Sequence, residues 1–107
     1  ATGRAAKAVL TRSKELDGDA WQTLPQLAEA LDAQHPLAAT LLRRAVIRHT
    51  LTYGKSKRYR HAARHLLECQ ASDALITDYE GFASHATFVD TLRRKHARKP
   101  AFWQKLQ

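Results

Sequence analysis

Apolar residues recur at steps of three and four through most of this chain, and that spacing predicts helix after helix. Residues 3–16 form the first expected helix, with Ala5, Ala8 and Val9, then Arg12 and Leu16, on one face. Asp17-Gly18-Asp19 interrupts it. Trp21, Leu24, Ala28 and Leu31 define a second stripe, with Asp19 and Gln22 spaced as an N-cap and its box partner and Pro25 in the first turn or two. His35-Pro36 closes that helix, because the residue before proline avoids the α region and proline suits the first turn of the next one. Residues 37–53 are apolar over more than half the circumference, which describes a helix packed between neighbours. Gly54 fits a C′ position. A fourth helix then runs to Ala71, burying Tyr59, Ala62, Ala63, Leu66, Cys69 and Gln70 and turning Lys57, Arg60 and Arg64 outward. Residues 72–84 show no period and read as a connector whose Leu75, Ile76, Tyr79 and Phe82 pack down on the helices. Ser84 caps a fifth helix with His85, Phe88, Val89, Leu92 and His96 on one face. Pro100 opens a short last helix whose Phe102, Trp103 and Leu106 fold back as an apolar lid.

The expected fold class is therefore all-α: stacked α-hairpins, about six helices, in a single domain over residues 1–107. Trp21-x-x-Leu24 with Ala28, followed by Ala38, Leu42 and Ala45, resembles a degenerate tetratricopeptide unit, with Pro25 standing where that repeat has glycine. Composition agrees, since Ala, Leu, Arg, Lys and Gln dominate and only four Gly and three Pro supply turns. The chain has no Met and opens Ala1-Thr2-Gly3-Arg4, which suggests the C-terminal piece of a longer protein. With a single cysteine and no apolar run approaching about 18 residues, a reducing cytoplasmic location is expected and a membrane partner is not.

Charge changes this picture more than composition does. Residues 1–14 carry +4, 15–42 carry −5, 43–64 carry +8, 65–92 carry −5 and 93–107 carry +6. A surface that only needed solubility would intersperse both signs, so blocks of this size point to an oppositely charged partner or to helix-to-helix ion pairs between the blocks.

The segments HPLAATLLRRAVIRHTL, KSKRYRHAARHLLEC and SHATFVDTLRRKHARKPAFWQKL resemble the C-terminal part of an uncharacterised bacterial family, domain of unknown function 6880, over about residues 19–107. The most specific elements are Tyr59-x-His61-Ala62-Ala63 and the run Leu92-Arg93, His96, Arg98-Lys99, Phe102-Trp103. This ending is also similar to endings of proteins that carry a SWIM zinc finger, although the zinc ligands themselves have no counterpart here. The resemblance implies a helical-repeat domain of a longer bacterial protein and brings no known reaction.

Several residues have the types that chemistry uses. His61, His65 and Cys69 follow at i, i+4 spacing, and two such histidines can share a metal ion. Residues 61 and 69 nevertheless lie roughly 12 Å apart at about 1.5 Å per residue, so a metal site would need His85 or His96 from another helix. His61 and His65 flanking a packed face, with Cys69 a small core hydrophobe, is the expected arrangement, and no metal or cofactor is assigned. His96 with Arg93, Arg98 and Lys99 would make a donor cluster for a phosphate or carboxylate. Arg43, Arg44, Arg48, Lys55, Lys57, Arg58, Arg60 and Arg64 supply basic helix faces suited to phosphates, but the aromatics occupy core positions and leave no stacking platform for bases. Arg44 and Arg48 border the apolar stripe of the third helix and are expected to meet buried acids. No catalytic residues are assigned, since neither a phosphate loop nor a nucleophile with a placed base appears. The sequence thus points to a module that binds a protein partner, an acidic one being favoured by these charges, with Arg60, Arg64, Arg93, His96, Arg98 and Lys99 as contact residues. Non-specific nucleic-acid binding on the same basic faces is the alternative.

Overall fold

A computed structural model describes residues 2–107. They form α1 (Thr2–Thr11), α2 (Thr23–Leu31), α3 (Pro36–Thr52), α4 (Tyr59–Asp73), α5 (His85–Lys95) and α6 (Pro100–Trp103), with single 3₁₀ turns at Ser13–Glu15, Ser56–Arg58 and Gln104–Leu106. Among the described residues there is no strand. The all-α expectation holds, with six α-helices.

α3 is the axis of the molecule, and α1, α2 and α4 all pack against it. Its first half, with Leu37, Ala38, Ala39, Leu41 and Leu42, closes one apolar cluster with Ala6, Val9, Ala28 and Leu31 of α1 and α2. Its second half contributes Ile47 and Leu51 to another, filled by Tyr59, Ala62, Leu66 and Cys69 of α4, Phe88 and Leu92 of α5 and Phe102 of α6. A helix buried nearly all round shows no single stripe, and α3 buries Thr40, Arg43, Arg44 and Thr50 beside its aliphatic residues. The radius of gyration of 13.0 Å is that of a close-packed chain of this length, about 13 Å for 100 residues.

Element boundaries depart from the sequence reading in ways with physical causes. α1 stops at Thr11, and Ala6 and Val9 are its buried residues while Ala8 is exposed. Asp19 does not cap α2, which begins at Thr23 without a side-chain cap. Asp17 Oδ1 instead accepts the Asp19 backbone N–H at 3.0 Å, a local turn that leaves the Asp19 carboxylate pointing elsewhere. Gly18 lies so close to α3 that a Cβ there would collide with the Ala45 carbonyl and with His49. In α4, Gln70 is exposed although the expected stripe included it, and His65, expected beside the packed face, is buried. In the connector Ile76, Tyr79 and Phe82 do pack on the core, whereas Leu75 is exposed.

Other expectations are met residue by residue. Pro36 is the first residue of α3. α3 ends in a Schellman motif: Gly54 at φ 60° donates its N–H to Leu51 O (3.3 Å) and Lys55 donates to Thr50 O (2.9 Å). Ser84 Oγ accepts the Thr87 N–H at 3.2 Å and caps α5. The C-terminal turn folds back, with Phe102 edge-on to Tyr59 at 5.9 Å between ring centroids and Trp103 Nε1 donating to His96 O at 2.9 Å.

Candidate interaction face

The basic block of residues 43–64 divides into an inner and an outer set. Arg43 is 2% exposed and donates through both terminal nitrogens to Asp32, at 2.6 and 2.7 Å, at the C-terminus of α2. Its Nε lies 3.5 Å from Glu68 Oε1 on α4, and the same oxygen accepts from His65 Nδ1 at 2.7 Å. One guanidinium therefore ties three helices together, and the forked pairing with Asp32 raises its pKa. Burial outweighs Glu68 at His65 and pulls that imidazole below its ordinary value, so it is neutral at pH 7.

Arg44 is 1% exposed and, among the described residues, has no acid within 4.0 Å, contrary to expectation. Its guanidinium carbon sits 4.7 Å from the Phe88 ring centre and 5.4 Å from that of Tyr79, so aromatic faces replace a carboxylate. Arg48 lies over the same Phe88 ring, 5.2 Å from its centre, and it too has no acid within 4.0 Å among the described residues. Arg58 pairs with Asp19 at 2.8 Å and covers the Trp21 ring at 5.1 Å, and its hydrogen bond, helped by its charge, holds the Asp19 carboxyl below the usual range. His49 Nε2 approaches the same carboxylate at 3.3 Å.

The outer set is different. Arg60 and Arg64 are exposed one turn apart on α4, and no acid lies within 4.0 Å of either among the described residues. Together with burial, their charges push the His61 pKa down, and His61 leans on the Trp21 ring at 5.5 Å. Leu67 continues the same outward stripe at i+3 from Arg64 and is 48% exposed. It borders a groove of about 500 Å³ between α4 and α5, floored by Leu66, Val89 and Leu106, with Asp90 and Arg93 at its edge. The sequence reading missed this groove. Its one legible sign was a leucine interrupting the basic outer face of α4.

The C-terminal candidates gather around Trp103. Arg93 is exposed with its guanidinium 4.4 Å over that ring, while the His96 carbonyl takes the indole N–H and the Lys99 backbone N–H, the latter at 3.2 Å. Burial first, then the Lys99 and Lys95 charges, lower the His96 pKa, so at neutral pH it offers an uncharged imidazole. Arg98 is exposed on the turn between α5 and α6. Arg60 and Arg64 belong to a different helix from this group.

The remaining chemistry-bearing residues are held in the packing. Cys69 is fully buried, 4.0 Å from the Thr40 carbonyl, and burial pushes its thiol pKa up to about 12, which makes it a poor nucleophile. Among the described residues no group of three or more His, Cys, Asp or Glu is placed to hold a metal ion. His85 Nδ1 is buried and has no hydrogen-bond partner among the described residues. No described helix is long and apolar enough to cross a membrane.

A helical domain whose inner charges are spent on its own packing and whose outer charges are left exposed is the class these features define. The chain matches the family model described as "Family of unknown function (DUF6880)" over residues 1–105, and it belongs to that family. The match takes in α1, which the resemblance read from the sequence left out, and the likeness of the ending to SWIM-finger proteins is no part of it. No curated protein and no solved structure matches the chain.

Proposed function

We propose that this domain is a protein-interaction module that receives an acidic protein segment on the outer face of α4, with Arg60 and Arg64 as primary contacts. Arg93, His96, Arg98 and Lys99 extend that face. One observation carries the reading: Arg43 and Arg58 are consumed by Asp32, Glu68 and Asp19, whereas among the described residues Arg60 and Arg64 remain exposed with no acid within 4.0 Å. Successive antiparallel helices of the tetratricopeptide kind are a scaffold suited to this role, presenting side chains from rigid elements.

The test is a fluorescence-anisotropy titration of a labelled Glu-rich peptide, beside single- and double-stranded oligonucleotides, at about 50 and 200 mM salt. The peptide is expected to bind, and replacing Arg60 and Arg64 together by Glu to abolish that binding. Oligonucleotide binding with a steep salt slope and no peptide binding would replace this reading with phosphate-backbone recognition.

A further inference from the structure

Resting on the interaction reading above, we propose that the groove between α4 and α5 seats one amphipathic helix of the partner, its apolar face inward and its acidic flank on Arg60, Arg64 and Arg93. The groove runs along α5 from His85 to Arg93, about 12 Å at about 1.5 Å per residue. Side chains at i, i+3 or i+4 and i+7 of a helix span about 10 Å, so two turns of apolar anchors fill that length. Its walls are two helices, and among the described residues there is no sheet edge to which an extended peptide could add. A third helix laid between them meets the same side-chain ridges that pack helices elsewhere in this fold.

The charges beside the groove select the occupant's sign. Arg64 and Arg60 do not line it but stand one and two turns before Leu67 on the same outward stripe, and Arg64 also borders a pocket against α2 with Trp21 and Glu29. Arg93 is at the edge, and the one rim acid, Asp90, already faces Arg94 Nε at 3.6 Å. The apolar floor of Leu66, Val89 and Leu106 then supplies affinity that charge alone lacks, since exposed ion pairs contribute little.

Two synthetic peptides of identical composition separate this from a purely electrostatic face. One places Leu at i, i+3 and i+7 with Glu on the flanks; the other permutes the same residues so that no apolar stripe forms. The striped peptide is expected to bind at least tenfold more tightly, and Leu67→Asp, at a half-exposed position that leaves the core intact, to erase the difference. Arg60→Glu with Arg64→Glu is expected to weaken both peptides. Equal affinity for the two would overturn the groove while leaving the basic face in place. Binding of neither would overturn both. Concentration-dependent dimerisation abolished by Leu67→Asp would assign the groove to a second copy of this chain and overturn the proposal as well.

Discussion

Arg44 takes a charge into the junction of α3, the connector and α5 and finds two aromatic faces there instead of a carboxylate. Burial lowers its pKa, which is the electrostatic sign that the charge is held at a cost. Cation–π contact with Phe88 and Tyr79, of order 2 kcal/mol when desolvated, offsets part of it. Methionine keeps most of the volume and removes the desolvation cost, so Arg44→Met is expected to stay within about 1 kcal/mol of the parent in urea unfolding. Arg44→Ala leaves a cavity and is expected to lose about 3 kcal/mol. Equal losses for the two variants would mean that charge, not volume, holds the junction. Thr50 presents a smaller case of the same kind. Its hydroxyl is buried in α3 without a hydrogen-bond partner, so the isosteric Thr50→Val is expected to stabilise by about 1 kcal/mol, and a loss of that size would refute the reading.

Between elements, the α1–α2 linker approaches α3 closely at Gly18. A methyl at Gly18 has nowhere to go against the α3 backbone, and Gly18→Ala is expected to destabilise by about 2 kcal/mol through overpacking. Gly54→Ala, where nothing crowds the position but φ is 60°, is expected to cost about 1 kcal/mol from backbone strain alone. Thermal scans of the two variants check the order. Local signals of this sort were legible: Pro36, Gly54 and Ser84 mark helix ends by chemistry confined to a few residues. Pairings across the chain were not. Asp19 has the right spacing for an N-cap, yet Arg58, 39 positions away, is its partner. The alternating charge blocks did raise ion pairs between helices, and Arg43 and Arg58 make them, but nothing in one dimension singled out Arg43 as the residue between Asp32 and Glu68. Arg60 and Arg64, the contacts we propose, were legible as outward-facing, because period alone settles that; the groove was not, because it exists only once α5 lies beside α4.

At the scale of the whole molecule, four histidines from three regions share one property. His61, His65, His85 and His96 all titrate below the ordinary value near 6.5, burial being the first cause in each. Between their unfolded and folded values the unfolded chain binds more protons, so stability falls as pH drops below about 6.5 and gains nothing from these groups above it. The urea midpoint is expected to decline from pH 7 to 5 with an unchanged slope, and a flat midpoint over that interval would remove the histidines from the account. α3 has a wider consequence. Because one helix closes both apolar clusters, unwinding α3 opens both cores at once. The two halves are therefore coupled through α3, whose amide hydrogens near Leu42 and Val46 are expected to exchange only when both clusters open together. A helix bound between α4 and α5 would then slow exchange in the first half of α3, which it never touches.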